Sequence, residues 1–202
     1  IIALLNASPV AGSSTAFLFY VESVLEMPDA AGPFLILFFL AAAGSTPIWT
    51  RLAARLGSRE MLLSAMTLAV VGFAFVLTLG SEDGVWFGLV CLITGFALGA
   101  DFALLPAAFA ARLGEIAPEA GEGFGLWAFV SKATLAIAAI TLLPSLEAAG
   151  FRAGGNSPPE AIALLTYLYA GVPCALKLVA MALLFGTRLP KVREDQAAET
   201  AV

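Results

Sequence analysis

Six long runs of apolar residues restrict what this chain can fold into. A helix rises about 1.5 Å per residue, so a bilayer core of about 30 Å needs close to 20 apolar residues. Strands of a membrane barrel would instead be about 10 residues long with alternating polarity. The sequence therefore predicts an all-α membrane protein with six transmembrane helices, followed by a disordered cytoplasmic tail at 188–202. The predicted spans are 1–24, 31–49, 61–79, 85–111, 124–143 and 161–186.

The residue types present exclude several classes of function. Only 12% of the residues are charged, against about 25% in soluble domains, and no histidine occurs. Ser-His relays and histidine-bearing zinc or haem sites are therefore excluded. Asp101 is the only aspartate within a predicted span, and a paired-aspartate protease needs two. No Walker or dinucleotide glycine fingerprint occurs. We expect no enzyme, no metal site, no cofactor and no nucleic-acid partner.

Basic residues give the orientation of the predicted helices. Arg152 lies on one side of the alternating topology, and the other loop and tail basic residues lie on the opposite side. The positive-inside rule places that opposite side, with the C-terminus, in the cytoplasm. Because the chain opens inside an apolar run without an initiator Met, we expect further sequence before Ile1. The cytoplasmic group is Arg51, Arg55, Arg59, Arg112, Arg188, Lys191 and Arg193.

Lys132 is the polar residue that points most directly to a function. It lies in the stretch 123–143, whose other residues are all uncharged. A lysine at the centre of a span costs about 2.5–3.5 kcal/mol on insertion scales, so it should face a polar cavity or a buried partner. A structural ion pair with an acid of another helix, such as Asp101, is the alternative. Lys177 lies about 13 Å before the end of its run, and we interpret it as snorkelling to the interface.

Asp101 and the helix breakers suggest where a cavity is lined. Pro106 leaves a carbonyl unbonded one turn earlier, which predicts a loosened helix with a polar lining beside Asp101, although a structural pairing is equally compatible. The long fourth run, with Gly99 and Pro106, corresponds by position to the first, with Pro9 and Gly12. Three helices followed by three are typical of one half of a major facilitator superfamily transporter, which contains two inverted three-helix repeats.

Several consecutive segments carry a more specific resemblance along the whole chain. They are Asn6; Phe17-Leu18-Phe19-Tyr20-Val21; Phe39-Leu40-Ala41-Ala42; Pro47-x-Trp49-x-x-Leu52-x-x-Arg55-x-Gly57-x-Arg59; Gly99-Ala100-Asp101; Leu105-Pro106; Phe124-Gly125-Leu126-Trp127-x-Phe129-Val130-x-Lys132; and Pro173. In this order and spacing they resemble the glycoside-pentoside-hexuronide:cation symporter family of the major facilitator superfamily. The resemblance aligns the chain with the C-terminal half of such a transporter, helices seven to twelve.

The resemblance implies sugar or glycoside:cation symport by alternating access, with Lys132 at the cation and sugar site. Sodium and proton are both possible coupling ions. The implied partners are the bilayer, a missing N-terminal six-helix half and a small solute, in a bacterial inner membrane. A scaffold protein derived from a transporter half and a lipid transporter are the alternatives. We expect the central cavity to include Lys132, Asp101, Asn6, Trp127 and Tyr20.

The resemblance also implies a cytoplasmic loop motif that latches helix ends in one access state. Its remaining members here are Arg55, Gly57 and Arg59. The acidic residue expected before the first arginine is Ala54, which weakens the case for a latch by charge pairing. A second departure lies at 110–111, where two alanines replace the usual Ala-Asp pair, and this predicts a different coupling to the cation.

Overall fold

The computed structural model of the chain describes residues 2–116, 122–155 and 157–186, and these residues contain helices and no strand. The predicted tail at 188–202 lies outside the described residues. Short turns join the helices, which confirms the all-α fold. The elements are α1 (Ile2–Ser23), a 3-10 turn (Pro28–Ala30), α2 (Ala31–Leu56), α3 (Ser58–Val76), α4 (Gly84–Ile116), α5 (Glu122–Ala148), α6 (Pro159–Thr166), a π-helical turn (Tyr167–Gly171) and α7 (Val172–Gly186).

Five of the described helical segments are long and apolar enough to cross a membrane. They make the chain an integral membrane protein. Helix α1 is not among the five, so the count of six spans and the repeat arrangement stay predictions. The five segments are Pro28–Leu56, Ser58–Val76, Gly84–Gly114, Gly123–Ala148 and Pro159–Gly186.

The predicted loop between the second and third spans is almost entirely helical. Helix α2 continues to Leu56 and α3 begins at Ser58, so Gly57 alone separates them. Alanine, leucine and arginine are strong helix formers, and they extend α2 beyond the predicted span 31–49. Gly57 has φ +102°, and a Cβ there would clash with the Glu60 carboxylate. Only glycine accommodates this reversal without strain.

The last predicted span is a single helical rod with a π-helical turn in its middle. Pro173 has no N–H to donate, and its ring displaces the carbonyl of the preceding turn. The Val172 N–H bonds instead to the Tyr167 carbonyl, five residues earlier. Ser13 of α1 donates its hydroxyl to the Tyr169 carbonyl at 3.3 Å, so a neighbouring helix supplies a partner to the disrupted turn.

Helices α2 and α4 approach each other closely. A Cβ added at Gly95 would clash with the Phe38 carbonyl, and one at Gly99 would clash with Ser45 Oγ. Small residues four apart allow such backbone contact between membrane helices. Ser45 Oγ and Trp49 Nε1 both donate to the Phe96 carbonyl, at 2.9 and 2.7 Å. This contact fixes α4, which carries Asp101, against α2.

The core consists of two clusters at opposite ends of the bundle. The first is aromatic and joins α1, α3, α4 and the π-helical turn through Phe17, Tyr20, Phe73, Phe87 and Tyr169. The second joins α2, α3, α4 and α7 near the Gly57 turn, and includes Trp49, Leu62, Met66, Leu104 and Leu184. Helix α5 packs mainly on α1 and leaves most of its surface uncovered.

Candidate functional site

A cavity of about 210 Å³ lies between the two core clusters. Helices α1, α2, α3, α4 and α7 and the π-helical turn all contribute to its wall. The wall is mainly apolar, and Leu18 of α1 and Phe39 of α2 are exposed where these two helices diverge. The polar residues in the wall are Ser13, Ser14, Thr94, Asp101, Tyr169 and Lys177.

Asp101 and Lys177 form a buried ion pair in the wall of this cavity. Lys177 Nζ donates to Asp101 Oδ2 at 2.6 Å, and the two side chains are only 3% and 9% exposed for the lysine and the aspartate. Helix α7 packs mainly on α1 and α3, and the long lysine stem reaches from it to α4. Both side chains are shielded from water, and the ion pair compensates their charges.

The second carboxylate oxygen of Asp101 has a different environment. Asp101 Oδ1 is buried and accepts no hydrogen bond from any described residue. Buried polar atoms in proteins nearly always have a partner, so this oxygen is an unusual feature of the cavity wall. It is an enclosed acceptor beside the cavity wall, and the described residues leave it without a donor.

This geometry changes two interpretations made from the sequence. Lys177 does not snorkel to the interface, because it is buried and paired with Asp101. The alternative pairing of Lys132 with Asp101 is also wrong, since Lys177 is the partner of that carboxylate. A chain with one midspan carboxylate and two midspan lysines has a choice of pairs, and helix packing decides which one forms.

Lys132 lies on the uncovered surface of α5. Its side chain is exposed, and it makes no ion pair or hydrogen bond within the described part of the chain. The structure therefore does not bring Lys132 together with Asp101 at the cavity. The two predicted charged residues occupy separate places in this bundle.

The remaining predicted cavity residues have three different placements. Tyr20 is fully buried, donates its hydroxyl to the Val76 carbonyl at 3.2 Å and stacks on Tyr169 at 4.5 Å between ring centroids. It supports Tyr169, which lines the cavity, from the aromatic core. Trp127 is half-buried with its ring against Phe109 of α4, at 4.9 Å between centroids. Asn6 lies in the part of α1 whose side chains are outside the described set.

The cytoplasmic loop motif makes a helix-capping contact. Arg59 donates from Nε to the Leu184 carbonyl at 3.3 Å and from Nη2 to the Phe185 carbonyl at 2.6 Å. These carbonyls belong to the last turn of α7, where helical partners run out and the helix dipole favours a cation. Arg55 is exposed and has no such contact among the described residues. Arg59 thus ties α3 to the end of the helix that carries Lys177.

Sequence reasoning missed Lys177, Ser13 and Thr94 as cavity residues. A signal existed for Lys177, because a lysine about 13 Å inside its span is further from the interface than its stem reaches. None existed for the two hydroxyl residues, which are common in membrane helices. Within the described residues, no group of three or more Cys, Asp or Glu side chains could hold a metal ion.

A family model described as MFS/sugar transport protein matches residues 1–191, which includes every residue of the cavity wall and Lys132. No curated protein matches the chain. The family match supports the major facilitator superfamily and a transport role; the narrower symporter family and the C-terminal half stay predictions.

Proposed function

Since the chain belongs to the MFS/sugar transport protein family, we propose that it is the C-terminal six-helix half of a secondary active transporter. The transporter moves a sugar or glycoside together with a cation by alternating access. Its other half is an N-terminal six-helix bundle, and the two rock against each other around a central site. The C-terminus lies in the cytoplasm, and the membrane is a bacterial inner membrane.

The exposed Lys132 is the observation that carries this proposal. It lies on α5, where Phe129, Ile137 and Ile140 are also largely exposed. An ammonium that faced lipid at this depth would cost about 2.5–3.5 kcal/mol on insertion scales. A water-filled cavity between two bundles removes this cost, because the lysine then stays hydrated while its apolar neighbours face lipid or the second bundle.

The uneven covering of the helices supports a missing second half. In the apolar stretch of α2, and likewise in that of α5, only 11% of the residues are buried in the bundle. The corresponding share for α4 is 56%. Helices α2 and α5 therefore present the surfaces that are available to another bundle. Lys132 on α5 and Phe39 beside the cavity on α2 both belong to these surfaces.

A charge in the central cavity provides a means of coupling. Lys132 can pair with a carboxylate of the cation site in one access state and release it in another, so that cation occupancy shifts the opening equilibrium. The cation is sodium or a proton. Such an exchange of partners requires a lysine that is not already fixed in an ion pair within this half.

Uptake by the full-length protein in proteoliposomes tests the proposal. A panel of glycosides would be offered with sodium and proton gradients imposed separately. We expect one gradient to drive accumulation of at least one glycoside above equilibrium, and ionophore to abolish it. Absence of glycoside uptake under both gradients, from protein that is folded and inserted, would contradict the proposal.

A further inference from the structure

We propose that the cavity beside Asp101 binds a neutral ring that bears hydroxyl groups, and that Asp101 Oδ1 accepts a hydrogen bond from one of them. This inference rests on the proposed transport of sugars. It adds a subsite within this half of the transporter and a preference for neutral over acidic solutes. Lys177 is the positioning residue, since it acts through the carboxylate that it holds.

The two oxygens of Asp101 have separate tasks. Oδ2 accepts from Lys177 Nζ at 2.6 Å, which fixes the carboxylate and compensates its charge. Oδ1 has no donor among the described residues and is enclosed in this arrangement, although its residue lines the cavity, so a rotation of the carboxylate toward the cavity accompanies binding. Because a buried acceptor without a partner is unfavourable, a solute that brings a hydroxyl to Oδ1 regains what the carboxylate lost on leaving water.

Three aliphatic hydroxyl residues of the wall can also act as acceptors. Ser13 donates to the Tyr169 carbonyl at 3.3 Å, Ser14 to the Val10 carbonyl at 2.7 Å, and Thr94 to the Val90 carbonyl at 2.7 Å. A hydroxyl has one proton and two lone pairs, so each of these side chains has spent its donor on the backbone. What they still offer is oxygen lone pairs, which match the O–H groups of a polyol.

The charges of the cavity wall disfavour a solute that carries a carboxylate. Lys177 is the cation in the described wall, and Asp101 already compensates it. An acidic sugar would place a second negative charge beside Asp101, in surroundings where like charges repel strongly. The subsite therefore selects the neutral glycoside from a pair that differs only in a carboxylate.

The remaining wall suits one ring. Phe17, Phe38, Phe39, Phe73 and Tyr169 supply flat apolar surface, against which the C–H face of a sugar ring can pack. Ligand sites with mostly apolar walls and a few oriented polar groups are the general pattern. The cavity, at about 210 Å³, is smaller than the roughly 300–1,000 Å³ of sites for drug-sized ligands, and fits a single ring.

Matched pairs of solutes give the first test. The full-length protein in proteoliposomes would be offered methyl glucoside against methyl glucuronide, and methyl galactoside against methyl galacturonide. We expect the transported member of each pair to be the neutral one, by at least about ten-fold in uptake rate. Equal or preferred uptake of the uronide would overturn the inference and leave the transport function standing. Uptake of neither solute from any pair would instead contradict the proposed function, and the inference with it.

A charge swap separates recognition from a purely structural ion pair. Asp101→Lys combined with Lys177→Asp keeps a buried pair between α4 and α7 and moves the carboxylate away from its present position. We expect folding to be retained, by size-exclusion profile and thermal stability, while uptake of the neutral glycoside falls at least ten-fold. A folded swap variant with normal uptake would show that the pair is structural and would overturn the inference.

A milder variant decides the matter if the swap does not fold. Thr94→Val removes one acceptor, and Thr134→Val is its matched control. Both threonines are 6% exposed and donate to the carbonyl four residues earlier, but Thr134 lies outside this cavity. We expect Thr94→Val to raise the Kd of the neutral glycoside about five-fold, the equivalent of about 1 kcal/mol. Equal Kd values for the two variants would overturn the inference.

Discussion

Lys132 and Lys177 both interrupt apolar spans, and the bundle surrounds them in opposite ways. Lys177 is 2% exposed and bonded to Asp101, in a region where α7 is packed against α1 and α3. Lys132 is exposed on α5, which packs mainly on α1 and leaves most of its surface uncovered. The first lysine is paired within the bundle. The second has no ion pair or hydrogen bond among the described residues.

The contrast shows that the cost of a midspan lysine can be met in two ways. A fixed buried pair holds the helices in one arrangement, and its second carboxylate oxygen can accept a hydrogen bond from a solute. An exposed lysine between two bundles can change its partner as the bundles move. We therefore propose that the Asp101 region recognises the solute and that Lys132 couples transport to the cation.

The largest effect is expected from Lys132→Ala in the full-length protein. Loss of the ammonium removes the exchange of partners, so gradient-driven uptake should fall at least about 100-fold while the protein stays folded. Uptake in proteoliposomes and a size-exclusion profile measure the two properties. Ile137→Ala, at another exposed position of α5, is the control and should retain most of the uptake. Normal uptake by Lys132→Ala would break the division of roles.

Lys177→Met should lower the thermal stability of the protein, whereas Lys132→Met should leave it nearly unchanged. Removing one partner of a buried pair leaves an uncompensated charge, which typically costs about 3–5 kcal/mol. We expect a large drop in thermal stability for Lys177→Met and nearly none for Lys132→Met. The double variant Asp101→Asn with Lys177→Met should recover most of the loss, because no buried charge remains. Equal stability of the two single variants would contradict the buried pair.

Gly99→Ala tests whether the contact between α2 and α4 sets the position of Asp101. A Cβ at this position would clash with Ser45 Oγ and the Ala42 carbonyl, and overpacking of this kind costs about 1–3 kcal/mol. We expect lower thermal stability and weaker binding of the neutral glycoside. Gly44→Ala is the control, since a Cβ there meets nothing within 4 Å. If Gly99→Ala has wild-type stability, α2 and α4 can move apart without cost, and their contact does not fix the position of Asp101.

The smallest effect is expected from Arg59→Ala at the end of α7. Loss of the contacts to the Leu184 and Phe185 carbonyls removes a favourable interaction with the helix C-terminus, worth about 0.3–1 kcal/mol. Thermal unfolding of the purified protein would measure the loss. Arg55→Ala is the matched control because Arg55 is exposed. A larger loss from Arg55→Ala than from Arg59→Ala would contradict the capping role.

The extent to which the sequence predicted this structure follows from the kind of interaction involved. Hydrophobic run length is a local property, so the helices and the membrane location were predictable, and the all-α fold is confirmed. Helix ends were less predictable, because Thr50, Arg51 and Arg55 interrupt the apolar run while the segment still favours a helix. The π-helical turn at Tyr167–Gly171 follows from Pro173, which has no N–H to donate and whose ring displaces the carbonyl of the preceding turn.

The site depends on contacts between distant parts of the chain, which is why its prediction was incomplete. Asp101 was identified as an intramembrane acid, but its partner lies 76 residues away on a helix whose rotation the sequence does not reveal. Lys177 was assigned to the interface although it lies about 13 Å inside its span, because a tilted helix or a locally thinned bilayer would let its stem reach. Tyr20 was expected in the cavity and instead stacks behind Tyr169, because the aromatic core includes α1.

The most direct test asks whether position 132 faces a water-filled cavity between two bundles. Lys132→Cys would be made in a full-length background with Cys91→Ala and Cys174→Ala, and treated with a thiol reagent that cannot cross the membrane. We predict that the introduced thiol reacts at a rate that changes when glycoside and cation are added, because the cavity between the halves opens and closes around it. A thiol that does not react in any condition, and whose attached fluorophore is quenched by labels on the lipid chains, would contradict the account.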